Sequence, residues 1–421
     1  MKSDIIKHLT SSGLMPQEEM LEVKTRDSKL FIGIPKETAL QEHRVALVPD
    51  SVGLLVSHGH RVVVESNAGK NSNFHDKDYS DAGAEISYNT KEVYQADIVM
   101  KVAPPTLEEI EYFDQGKKQL LFSALQLNVQ PKECMAKLMQ KKVSAVAFDY
   151  ITDRENIYTI VRSMSEIAGT TSILIAGEYL SNANKGHGVM LGGIAGVKPT
   201  EVVIIGAGAV GEFAAKAALG LGATIKLFDN EIYRLRRIVD QLGHRVFTSI
   251  IHPKVLEKAL QSADVVIGAL RPQNGRTPCV VTEEMVAGMK YGSVIVDVSI
   301  DHGGCFETSK VTTHENPTFK NYGVIHYCVP NIASRVSRTA SYAFSNVFTP
   351  MLLQMGNDGG IEKMMRNDKG IRNGIYMYRG ILTNKVVGET FRLPYKDIQG
   401  KTEIGSDVWI GDNVSVLPNI K

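Results

Sequence analysis

The sequence predicts an α/β protein made of two Rossmann-like units, and three observations carry that reading. From Lys29 onward, short apolar runs alternate with charged, helix-compatible segments, as buried parallel strands and their crossovers do. A glycine-rich turn, Gly206-x-Gly208-x-x-Gly211, separates a strand-like run from a helix-like one. The chain of 421 residues is also long enough to bury two cores.

The elements follow in order. Residues 1–28 are polar and helix-compatible, and read as an appendage. "KLFIGIPKE" reads as a strand, "PDSVGLLVSHG" as a helix closed by Gly59, and "RVVVE" as the next strand. "ADIVMKV", "KQLLFSALQL" and "VSAVAFDYI" continue the set. "RSMSEIAGTTSILIAGEYL" is a long helix leading into the second unit. There "EVVII" precedes the glycines, and "ADVVIGAL", "GSVIVDVSI" and "YGVIHYCV" supply further strands. Beyond Asn331, the helical "TASYAFSNVFTPMLLQMG" follows. In residues 399–421 apolar residues recur every six positions (Ile404, Ile410, Val416), as in one coil of a left-handed β-helix. A single coil cannot bury its own face, so this stretch reads as a tail and not a catalytic domain.

Composition narrows the function. A net charge of +1 gives no reason to expect nucleic acid or an anionic membrane surface. No apolar run is long enough for a membrane span, and the start of the chain lacks a signal-peptide core. Cys134, Cys279, Cys305 and Cys328 are unpaired in spacing, which suits reduced thiols and a cytoplasmic location. No spacing of His, Cys, Asp and Glu suggests a metal site. His58, His60 and His187 lie beside glycines and read as solvated turns.

The chemistry concentrates in two places. In the glycine turn, Gly206 permits a tight bend, Gly208 a close approach to pyrophosphate, and Gly211 close packing of helix on strand. Asp229, ending the next strand, suits the two ribose hydroxyls and repels a 2′-phosphate, so NAD is the expected cofactor over NADP. Arg234 and Arg236 read as a solvated helix face; a ligand-free βα turn is the plain alternative for the glycines. The second place is "VIVDVSIDHGGCFE", where an apolar strand ends in Asp301 and His302. Beyond the carboxyl end of a strand lies the ligand position of an open α/β sheet, although Asp-X-Gly-Gly also suits an ordinary turn.

Several separated segments, including "IGIPKETALQEHRVALVPDSV", "MSEIAGTTSILIAGEYL", "GVMLGGIAGVKPTEVVIIGAGAVG" and "VDVSIDHGGCFE", resemble alanine dehydrogenases, from about Lys29 to Asp397. The resemblance implies an NAD domain (159–337) inserted in a discontinuous substrate domain (29–158 and 338–398), usually in a hexamer. It implies reversible oxidative deamination of L-alanine to pyruvate and ammonia. Arg44 matches the arginine that holds the substrate carboxylate, and Lys101 the lysine at the carboxylate and carbonyl. Without the resemblance, Lys101 could equally snorkel to solvent. Asp301 matches the active-site aspartate, Asn331 a substrate-side residue, and Ser165 a residue near the nicotinamide. Ala269 and Leu270, ending "ADVVIGAL", are expected to border the cofactor.

Two departures stand out. The family usually has a histidine where this chain has Gln126, and glutamine where it has His302. An amide cannot exchange a proton near neutral pH. His302 is therefore a candidate to take over proton transfer, with Gln126 keeping a hydrogen bond to substrate; an outward-facing loop histidine is the alternative. "NIASRVSRTAS" also lacks the family's prolines. Rival functions are a related amino-acid or opine-type dehydrogenase and a catalytically impaired NAD(H)-binding regulator.

Overall fold

The computed structural model describes residues 29–126, 130–271 and 276–396. The expected N-terminal helix and the six-residue-repeat tail lie outside them. Among the described residues the chain forms two sheets, each dominated by parallel pairing.

The first sheet contains β1 (Phe31–Ile34), β2 (Arg61–Glu65), β3 (Glu85–Ser87), β4 (Ile98–Met100), β5 (Leu120–Ser123) and β6 (Ser144–Ala147). Its order is β15-β14-β6-β5-β4-β1-β2-β3, where β14 (Ile375–Tyr378) and β15 (Ile381–Leu382) come from the far end of the chain. β1 to β6 pair in parallel, and the middle residues of all but the edge strand β3 are buried. β14 closes onto β6 antiparallel, Ile375 opposite Val146.

The second sheet has the order β12-β13-β11-β10-β7-β8-β9. Its strands are β7 (Glu201–Ile205), β8 (Thr224–Phe228), β9 (Phe247–Ser249), β10 (Val265–Gly268), β11 (Val294–Asp297), β12 (Thr318–Asn321) and β13 (Val324–Tyr327). The order reverses between β7 and β10, which opens a crevice at their carboxyl ends. β12 and β13 form an antiparallel hairpin. Its turn residues, Tyr322 and Gly323, both have positive φ (51° and 77°), as a twist-matched two-residue hairpin requires.

Two 22-residue helices cross between the sheets: α1 (Thr159–Leu180) and α2 (Ser337–Asp358). Phe344 and Phe348 of α2 stack on each other and meet Phe148 at 5.5 and 5.4 Å, with Phe122 6.4 Å from Phe348. This aromatic cluster docks the returning chain on the first sheet. The "NIASRV" segment winds as a 3₁₀ turn, Ile332–Val336, directly into α2.

β3, β9 and β12 are absent from the sequence reading because each is a sheet edge without a continuous apolar run. Two histidines also depart from it. His60 is buried, and its Nδ1 accepts the Leu30 N–H at 3.3 Å. The His187 ring is packed at the Tyr291 carbonyl (3.0 Å) and near Asp264 (3.8 Å). Among the described residues no helix is long and apolar enough to cross a membrane, and no group of side chains is set to hold a metal ion.

Candidate active site

The glycine turn stands at the crevice. Gly206 has φ +118°, and a Cβ there would lie 2.4 Å from the Ala269 carbonyl oxygen; Ala269 and Leu270 thus form the facing wall. Gly208 has nothing within 4 Å of a Cβ position, so its backbone fronts open space of the kind a pyrophosphate fills. At Gly211 a Cβ would sit 1.9 Å from the Gly206 carbonyl oxygen. The helix Ala209–Gly220 can approach only because that atom is missing. Asp229 is buried and steadies the turn, accepting Ala207 N–H at 2.6 Å and Glu231 N–H at 2.8 Å. Arg234, read as solvated, reaches to 4.0 Å of Asp229 although partly exposed. Ser165 lies on α1 with its hydroxyl returned to the Val161 carbonyl at 2.7 Å.

Arg44 and Lys101 are both buried. Glu42 receives Arg44 Nε at 2.7 Å and Nη2 at 2.5 Å, the Phe344 ring lies 5.1 Å from the guanidinium carbon, and Nη1 meets Met164 Sδ at 3.5 Å. Burial acts to lower the Arg44 guanidinium's pKa, but the charge and hydrogen bonds of Glu42, with the charges of Glu37 and Asp301, together leave a net rise. The loop carrying Arg44 hangs from a row of serines. Ser334, Ser341 and Ser345 accept the N–H groups of His43, Val45 and Val48 at 2.9, 2.9 and 2.8 Å.

Lys101 follows β4 and does not snorkel: it is 1% exposed, 3.2 Å from Glu37 and 3.0 Å from Glu109. Glu37 also accepts Val102 N–H at 2.6 Å. Burial still raises its carboxyl above the ordinary range, against the lowering effect of Lys101. Glu109 closes a capping box with Thr106 and accepts the Thr38 hydroxyl at 3.0 Å.

Asp301 lies in a 3₁₀ turn, Val298–His302, beyond β11. Its surface is open to the cleft, yet protein crowds it closely enough that burial raises the carboxyl; the Asn331 N–H, His302 and Arg44 act against that rise. Asn331 joins the two sides. It adopts φ +57°, which Asn tolerates better than most residues. Its N–H donates to Asp301 Oδ1 at 2.9 Å and its Nδ2 to Glu42 Oε2 at 2.9 Å. Arg44, Glu42, Asn331 and Asp301 are therefore one connected chain.

His302 is half-buried, with Nδ1 enclosed and, among the described residues, without a hydrogen-bond partner. That is at odds with an outward-facing loop ring. Gln126 lies three residues past β5 with φ +44° and is exposed. Among the described residues no hydrogen bond joins its side chain to Asp301 or His302.

Family models describing the N-terminal and C-terminal domains of alanine dehydrogenase/PNT match residues 33–168 and 172–385. The chain belongs to the alanine dehydrogenase/PNT family. Alanine dehydrogenase 2 of Staphylococcus aureus (strain USA300) is 40% identical over 369 residues, covering 87% of this chain and 98% of the relative. A solved L-alanine dehydrogenase superposes with TM-score 0.80 at 36% identity, covering 86% of this chain and 99% of that one. A transhydrogenase from Sinorhizobium meliloti, 23% identical with TM-score 0.72, shares the fold over 84% of this chain and 99% of its own. The mixed α/β architecture with two parallel-dominant sheets agrees with the alanine dehydrogenase fold.

Glu37, Glu42 and Glu109 escaped the sequence reading of this dehydrogenase-like chain. Glu109 was visible only as the last residue of a Thr-x-x-Glu helix start, a structural signature it also fulfils. Glu37 and Glu42 sit in loop sequence, where nothing local marks an acid as buried.

Proposed function

We propose that the chain catalyses the reversible, NAD-dependent oxidative deamination of L-alanine to pyruvate and ammonia. The supporting observation is the hydrogen-bonded chain from Arg44 through Glu42 and Asn331 to Asp301, which carries a carboxylate-binding cation up to an acid at the crevice of the second sheet. On this reading residues 159–337 hold the nucleotide, and residues 29–158 with 338–398 hold the substrate.

The residues present fit a dinucleotide. Gly206 to Gly211 supply the turn and the helix N-terminus, Ala269 and Leu270 the wall, Ser165 the nicotinamide side, and Asp229 the ribose contact. Asp229 keeps lone pairs for ribose hydroxyls and disfavours a 2′-phosphate, so NAD is preferred over NADP. When bound, the nicotinamide ring supplies the hydride acceptor.

The protein's own residues bind and orient. Arg44 presents two N–H groups to the substrate carboxylate, and Lys101 stands at the carboxylate and carbonyl end. With both fixed, Cα–H has one allowed direction. Asp301 then activates the water that adds to the imine, His302 takes and returns the proton at the substrate oxygen, and Gln126 donates a hydrogen bond there. A cytoplasmic hexamer is the assembly in keeping with the family. An NADH absorbance assay tests the whole reading. Pyruvate plus ammonium should oxidise NADH, and L-alanine should reduce NAD; no turnover in either direction would refute it.

A further inference from the structure

Arginine offers a carboxylate two bidentate edges, Nε/Nη2 and Nη1/Nη2. In this chain the first is taken: Glu42 Oε1 accepts Nε at 2.7 Å and Oε2 accepts Nη2 at 2.5 Å. Glu42 is itself held by further donors. Its Oε1 accepts the Arg44 backbone N–H at 3.0 Å and its Oε2 the Asn331 Nδ2 at 2.9 Å. Phe344 covers one face of the guanidinium and Met164 touches Nη1.

Two readings of such a buried acid are opposed. It could be a placeholder that vacates Arg44 when substrate arrives, or a fixed brace. Four donated hydrogen bonds, one from a residue contacting Asp301, favour the brace. The guanidinium and its hydrogen bonds also keep the Glu42 carboxyl below its ordinary range, against the opposing effect of burial, so it remains a charged acceptor.

We propose that Glu42 is a positioning residue: it grips Arg44 by the Nε/Nη2 edge so that the Nη1/Nη2 edge faces the substrate carboxylate, and through Asn331 it registers that edge against Asp301. This rests on the amino-acid dehydrogenase reading above.

The test compares parent, Glu42→Gln and Glu42→Asp in steady-state reduction of pyruvate at saturating NADH and ammonium, with NADH binding followed by fluorescence. In Glu42→Gln at least one Arg44 donor faces an amide N–H₂. Arg44 binds the carboxylate in ground and transition states alike, so KM for pyruvate should rise about tenfold or more while kcat stays within about threefold. Glu42→Asp, which keeps the charge one methylene short, should fall between. A KM unchanged or lowered in Glu42→Gln would make the acid a placeholder and overturn the proposal; so would a fall in kcat alone. If Glu42→Gln no longer binds NADH, Glu42→Asp decides by the same direction of KM. A parent with no turnover refutes the dehydrogenase reading instead, whereas an active parent with an indifferent Glu42 refutes only this one.

Discussion

Replacing Lys101 with methionine separates what the lysine does for the fold from what it does for substrate. Its ammonium is 1% exposed and lies between Glu37 and Glu109, whose side chains are 6% exposed. Methionine fills much of the same volume but leaves two buried carboxylates facing each other without their cation. Removing one partner of a buried ion pair costs about 3–5 kcal/mol. For a cooperative unit of about 150–250 residues, each kcal/mol is worth about 2–4 °C, so melting should fall by about 6–20 °C near neutral pH. The sign of the pH dependence follows from Glu37. Burial already raises its folded-state carboxyl above the unfolded value of 4.5, and loss of Lys101 raises it further. The folded state then binds more protons than the unfolded one, so stability falls as pH climbs from 4.5 through the raised value. The deficit of Lys101→Met should accordingly be smaller in acid than near neutrality when followed by thermal melts. A melting point within about 2 °C of the parent near neutrality, or a deficit larger in acid, would refute the buried-triad argument.

Replacing His302 with glutamine should lower turnover by about a hundredfold, the usual scale for losing a group that transfers a proton; an unchanged rate at every pH would dismiss His302 from proton transfer. Gly211→Ala would put a methyl 1.9 Å from the Gly206 carbonyl oxygen, so NADH affinity measured by fluorescence should fall sharply, and retained affinity would contradict the packing role. In Asp229→Ser the ratio of NAD to NADP use should drop by about tenfold or more, aided by Arg234 at 4.0 Å; an unaltered ratio would deny Asp229 its discriminating role.

What the sequence made legible was local. Apolar runs such as "EVVII" and the glycines after them are determined by near neighbours, and they form β7 and the turn at the crevice. What it concealed depends on distant partners. β14 pairs with β6 across more than two hundred residues of chain, and no periodicity within "IYMY" names its partner. The same applies to Glu42, whose meaning comes from Asn331. Lys101 shows the limit from the other side: a strand-end lysine reads as free to snorkel, and only the convergence of Glu37 and Glu109 fixes it inside. The exchange of residue types at Gln126 and His302 was visible in the sequence, but which of them is enclosed was not.

The charges around the cleft supply a physical reason for an amino acid rather than a plain acid. Arg44 and Lys101 are coupled to Glu37, Glu42, Glu109 and Asp301, so with every group ionised two cations face four carboxylates. A monoanion such as pyruvate or a 2-hydroxy acid enters that field with a carboxylate and nothing to offset the excess. L-alanine brings its own ammonium, and the imine formed from pyruvate and ammonia can carry a proton on nitrogen. At about 4 Å and an effective dielectric of about 20, a unit charge interacts with another by about 4 kcal/mol, enough for the surplus to favour a cationic nitrogen near Asp301. Burial raises both Glu37 and Asp301 against the lowering effect of the neighbouring cations. Arg44 and Lys101 therefore fix the orientation of the carboxylate, while the excess of acids around them selects what is attached to the carbon beside it.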